Sequence, residues 1–177
     1  MNLSLVMIQG EFGAQVPELL SHFDHHCVAL HEETVPGVET GRRVDQMRSA
    51  AGGRHEIVRV AQDQGWTVLA DDQGMLAESM SACATLARVL DTQVITALDD
   101  GELWAFSIHG PDGLRRALVV DGDDVVARGA PLPIEQLFSG RAELRDLTML
   151  IQSFGLDFER LNLEASYRLA TVEPHAA

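Results

Sequence analysis

Residues 21–33, SHFDHHCVALHEE, gather His22, His25, His26 and His31 with Cys27, Asp24, Glu32 and Glu33, so four of the chain's seven histidines stand in one short run. Imidazole nitrogens, thiolates and carboxylates are the donors that hold zinc and related ions. If a helix runs through residue 26, His22 and His26 lie one turn apart on one face, the spacing two imidazoles need to share an ion. Cys27 is then the nearest further ligand, with His31 or Glu32 beyond it. His22, His26 and Cys27 therefore form the candidate metal set, and a metal-binding or small-ligand enzyme using residues 22–31 is one functional reading. Against it, the spacing matches no familiar zinc motif. Histidine near a helix C-terminus is also favoured by the helix dipole alone. Clustered imidazoles in an acidic segment titrate near neutrality, which adds pH sensing to the possible roles.

The letters Asp24-His25-His26-Cys27 also spell the signature tetrad of a family of membrane acyltransferases. Those proteins span the bilayer several times and hold the tetrad in a cysteine-rich zinc domain. Here no run approaches the roughly 18–20 apolar residues of a spanning helix, and Cys83 is the only other cysteine. The tetrad carries no acyltransferase implication.

Other chemistries are thinner still. MIQGEFGAQVPELL has two glycines between a strand pattern and a helix pattern, but not the third glycine of a dinucleotide fingerprint nor the Gly-Lys-Ser/Thr of a P-loop. Glu11 would stand against any phosphate. There is no Gly-x-Ser-x-Gly, and neither cysteine has a recognisable catalytic context. DGDD at 121–124 starts like a calcium loop, yet Leu132 stands where the closing glutamate belongs. No catalytic residue is assigned, no cofactor is expected, and the balance leans away from an enzyme.

Charge says more. The chain has 27 acidic and 13 basic residues and a net charge of −14, and all its basic residues are arginine. The first of these is Arg42, preceded by Glu11, Glu18, Asp24, Glu32, Glu33 and Glu39. Such a surface repels phosphate backbones, which excludes nucleic acid as the expected ligand. It attracts a basic protein and speeds its association. Asp99, Asp100 and Glu102 cluster in one turn and Asp121, Asp123 and Asp124 in another. With Glu32 and Glu33 they are the candidate partner-binding residues. MNLSLVMIQGEFG is apolar but lacks the charged and small-residue flanks of a signal peptide and reads as a strand. Two widely spaced cysteines suit reduced thiols. A cytoplasmic location without membrane contact is expected; homo-oligomeric state is not legible, since no sustained heptad is present.

The elements that must position these residues follow from periodicity. LSLVMI reads as a strand. Pro17 opens a helix that turns Leu19, Leu20 and Phe23 inward and ends near His25 or His26. CVALH follows as a strand, and residues 32–54 as a loop with a short helix around 42–50. HEIVRVA and WTVLA read as two strands joined by a turn, or as a helix end running into a strand. Leu76, Met80, Cys83, Ala87 and Leu90 have the spacing of one helix face, with Asp71 or Asp72 as the cap. From residue 94 to 129 glycine- and aspartate-bearing turns punctuate antiparallel hairpins. Trp104, Phe106 and Ile108 share a face, expected to pack on the preceding helix. Ser139 is a candidate cap for a helix carrying Leu144, Leu147, Ile151 and Phe154, and SYRLATV a candidate last strand.

These elements make a single α+β domain over residues 1–177: a mostly antiparallel sheet with helices chiefly on one face and a C-terminal helical segment. Its parts are an N-terminal strand-helix-strand and loop (1–54), a helix-on-sheet core (55–135) and the C-terminal segment (136–177). Within it, GWTVLADDQGMLAESM and ELWAFSIHGPDGLRRALVVDGDDVVARGAPLP, with Trp66, Asp71, Gly113, Gly129, Pro131 and Pro133, resemble a pattern in small uncharacterised bacterial cytosolic proteins. Some of those are similar to immunity proteins that neutralise a toxin passed between competing bacteria. The resemblance covers roughly residues 65–135 and implies a stand-alone interaction domain that masks a toxin by direct binding; the charge makes a basic toxin the attractive partner, a toxin of another class remains open, and no catalytic motif transfers.

Overall fold

The computed structural model describes residues 3–52, 55–138 and 143–174. Ten strands form the sheet: β1 Leu3–Gln9, β2 His25–Leu30, β3 Val35–Pro36, β4 Glu56–Asp63, β5 Trp66–Ala70, β6 Val94–Asp99, β7 Leu103–Gly110, β8 Gly113–Asp121, β9 Asp124–Gly129 and β10 Ser166–Pro174. The helices are α1 Val16–Ser21, α2 Gly37–Ala50, α3 Met75–Glu78, α4 Met80–Val89, α5 Leu144–Gln152 and α6 Phe158–Leu163, with a 3-10 turn over Pro133–Leu137. The spatial order is β2-β10-β4-β5-β1-β6-β7-β8-β9, β3 pairs with β10 beside β2, and every recorded pairing is antiparallel. The α+β class and the antiparallel sheet stand as read. The last strand enters the interior of the sheet between β2 and β4, so N-terminal, central and C-terminal segments interleave.

The distribution of helices differs from the expectation of one covered face. In β1, Leu5 and Met7 join one apolar cluster while Val6 and Ile8 join another. Successive strand residues point to opposite faces, so both faces of the central strands are buried. On one face α5 and α6 contribute Leu147, Leu150, Ile151 and Leu161. On the other, α1, α3 and α4 contribute Leu19, Leu20, Leu76, Cys83 and Leu86. Val44 of α2 packs with Val35, Ile57 and Leu169 in a smaller cluster.

That burial also explains why WTVLA gives no clear period. All five residues of β5 are buried, and a strand covered on both faces loses its alternation. The turn before it pairs Gln64 (φ 47°) with Gly65 (φ 81°), two left-handed residues in succession as in a tight hairpin turn. Trp104, Phe106 and Ile108 do share a face, but they pack with Leu147, Leu150 and Ile151 of the C-terminal helix rather than with the preceding one. The preceding helix, α4, covers the opposite face.

The helix expected around residues 76–90 is divided at Ser79, whose carbonyl starts α4 by accepting from Cys83 N while its own N–H closes α3 on Leu76 O. The break displaces Met80 to 39% exposure and leaves Leu76, Cys83 and Ala87 in the core. Gly74 (φ 82°) occupies the N-cap position of α3, and of the two expected caps it is Asp71 that bonds the first helical N–H groups, from three residues before it. The buried Asp71 carboxylate accepts from Gln73 N, Met75 N and Leu76 N and from Ser4 Oγ across the sheet. Ser139 lies outside the described residues.

Beyond β9 the chain is fixed by charge. Arg116 and Glu135 form a bidentate ion pair, with Nε to Oε1 at 2.8 Å, and both side chains are largely buried. Arg116 also donates to the carbonyls of Arg128 and Gly129. Glu135 accepts from Leu132 N. One guanidinium thus ties the end of β9 and the 3-10 turn to the sheet. Gly129 (φ 81°) is where β9 ends, and a Cβ there would lie 2.0 Å from the Arg115 carbonyl oxygen. Only glycine fits that turn of the chain.

Candidate functional site

The histidine run is taken apart by the backbone. α1 closes at Ser21, with His22 as its C-cap, and Asp24 at φ 58° reverses the chain into β2. The expected helix through residue 26 is therefore corrected: His22 and His26 do not share a helical face. The physical cause is β2, which begins at His25 to pair with β10 at Pro174. His26 and Cys27 are consecutive in that strand, so their side chains leave opposite faces. His25 is buried, with Nδ1 at 2.6 Å from Phe23 O. His31 Nε2 lies 3.3 Å from Thr171 Oγ1. Among the described residues no group of three or more His, Cys, Asp or Glu side chains has the arrangement to hold a metal ion.

The acidic turns are brought together. β6 ends at Asp99, which pairs with Trp104; β7 begins at Leu103, which pairs with Asp121; Asp121 pairs with Asp124. Both turns therefore project from the same end of neighbouring strands. Asp99, Asp100, Glu102, Asp121, Asp123 and Asp124 form one rim, with Asp99 half-buried and the other five exposed. Within it, Asp99 Oδ1 accepts from Gly101 N, and Asp100 Oδ1 accepts from Leu103 N and Glu102 N. Those N–H donors, Leu103 first, hold the Asp100 carboxyl below its ordinary range. Two carboxylates thus shape the turn, and Glu102, Asp121, Asp123 and Asp124 face solvent.

Glu32 and Glu33 lie elsewhere. They follow β2, the edge strand opposite β9, five to eight strand spacings from the rim carried by β6 to β9, or roughly 24–38 Å at ~4.8 Å per strand. There Glu33 borders an open groove of about 490 Å³ between the β2–β3 connection and α2, lined also by Val35, Glu39, Arg42, Arg43 and Gln46, and Glu32 lines a smaller cavity of about 160 Å³ beside it with His31 and Met47. Arg43 stands 3.8 Å from Glu33, both exposed, so the pair adds little stability. The eight candidate binding residues split six and two.

Further groups were not visible in the sequence. Thr96 Oγ1, Ser107 Oγ and His109 Nε2 form a buried chain at 2.6 and 2.9 Å on the α4 face. Burial lowers the His109 pKa, so the neutral ring is the stable form. Ser107 is 1% exposed, so this serine–histidine pair has no route to substrate. On the same face, beside the start of α4, Met80, Leu114, Ala117, Val119, Val126 and Arg128 line an apolar groove of about 210 Å³. DVVARG, with three apolar residues in a row, gives no alternation to mark this face, and nothing in its letters marks β9 as an edge. No helix among the described residues is long and apolar enough to cross a membrane.

Comparison of the chain with protein-family models, with curated proteins and with solved structures finds no match.

Proposed function

We propose that this protein is a cytoplasmic protein-binding module whose acidic sheet end receives a basic protein, in its most specific form an immunity protein that masks a cognate bacterial toxin. The supporting observation is the strand register that sets two acidic turns side by side. A rim of like charge concentrated at one end steers a cationic partner at long range. The first of these turns is preformed, because Asp99 and Asp100 already bind its backbone, which lowers the ordering cost of presenting Glu102. Masking is steric: the partner's working surface is covered while the module performs no chemistry.

Co-expression with the product of the adjacent gene tests this. A co-purifying complex is expected, with affinity that falls as salt rises. Reversing Glu102→Arg and Asp123→Arg together should weaken it by about tenfold or more. Absence of a complex and of rescue from toxicity would overturn the reading.

A further inference from the structure

We propose that β9 is a self-complementary edge through which two copies of this chain join into one continuous sheet. No described strand pairs with the outer side of β9, and all six of its residues are exposed. Edge strands are usually guarded by charge, proline, a bulge or extreme shortness. The β8–β9 ladder runs from Arg116↔Gly129 to Asp121↔Asp124 without a bulge, and the centre of β9 is Val125-Val126-Ala127.

The order of side chains selects the occupant. Asp124, Val126 and Arg128 share one face of the strand. An antiparallel pairing about a two-fold axis at Val126 sets Val126 against Val126 of the second copy. It sets Asp124 opposite Arg128 of the second copy, and Arg128 opposite its Asp124. Two opposite-charge cross-strand pairs then flank an apolar centre, each of the kind that stabilises a sheet. In the single chain Asp124 stands directly opposite Asp121, a like-charge pair that the second copy's arginine offsets.

The backbone agrees with this register. Asp121 and Asp124 close a two-residue turn and bond to each other, and antiparallel ladders alternate. The outward N–H and C=O groups of β9 therefore belong to Val125 and Ala127, which the same two-fold places opposite each other. On one face the two apolar grooves, each with Val119, Val126 and Met80, become neighbours; Val125, 58% exposed, is covered on the other. A strand of six residues buries an area at the low end of specific interfaces, roughly under 1,200 Å² in total, so the dimer is concentration-dependent.

Sedimentation of the intact chain from about 10 μM to about 1 mM tests the proposal, in the concentration range where interfaces this small associate. Expected is a reversible monomer–dimer equilibrium. Arg128→Asp should raise the dissociation constant by roughly tenfold or more, because it puts carboxylates opposite carboxylates. The charge swap Asp124→Arg with Arg128→Asp should return it towards wild type. Both sites are exposed in a hairpin, and an unchanged thermal transition would confirm that each variant folds. A monomer throughout the range overturns the proposal and leaves this edge to another protein. So does a dimer that Arg128→Asp leaves intact, or a swap no better than the single change.

Discussion

At one edge of the sheet, β2 is interrupted, bulged and continued by another strand; at the other, β9 runs straight and bare. The β2 edge shifts register against β10 between Thr171 and Val172, stops at Leu30, and hands over to the two-residue β3, which contains Pro36. α1 packs beside it, and α2 follows at once from β3. These are the devices by which a sheet refuses further strands. β9 has none of them, and the proline after it, Pro131, lies beyond its last residue. The acidic turns cluster on the β9 side, the histidine run of residues 22–31 on the β2 side. The region that looks most reactive as a string of letters is therefore the one built to close the fold, and the one that looks like ordinary hairpin is left open.

The contrast can be broken most forcefully by removing what holds the open edge in place. Glu135→Ala leaves the largely buried Arg116 guanidinium without its carboxylate, and should cost about 3–5 kcal/mol of stability, read by urea denaturation. A loss under about 1 kcal/mol would show that the 3-10 turn is not anchored through this pair. Gly129→Ala comes next. It combines a left-handed φ with a Cβ against the Arg115 carbonyl, and should cost about 2–3 kcal/mol in the same assay. Its damage should centre on the β8–β9 hairpin in amide exchange, leaving β2 and β10 protected.

The smallest effect sharpens the closed side. Cys83 is fully buried on the inner face of α4 and desolvation pushes its thiol up to about 12. Cys27 on the β2 edge is only partly covered; desolvation raises its pKa, offset in part by a backbone hydrogen bond from Ala29. Since the thiolate is the nucleophile, a thiol reagent at pH 8 should modify Cys27 first and slowly. Cys83 should react only at the rate of global unfolding. Simultaneous labelling of both in the native protein would show that the cover α4 lays over β6 to β8 opens without global unfolding.

The class of fold was legible because hairpin punctuation is local: Asp99 to Gly101, Gly110 to Gly113 and Asp121 to Asp123 each carry turn chemistry in their own letters. Asp71 was legible as a cap for the same reason. The end of α1 was not, because it is set by the pairing of His25 with Pro174, 149 positions away. The distribution of helices over two faces was hidden as well. Where both faces of a strand are covered, as in β5, alternation disappears. The acidic residues were legible one by one; their assembly into a rim of six, with Glu32 and Glu33 left at the far edge, is a property of register.

The central claim is that the β9 side, and not the histidine-bearing edge, is where this protein meets other molecules. Amide hydrogen exchange at two concentrations tests it most directly. Between about 10 μM and about 1 mM, protection at Val125 and Ala127 should rise while that across His26, Cys27, Val28 and Ala29 stays constant. Unchanged exchange at Val125 and Ala127, or a rise confined to β2, would contradict it.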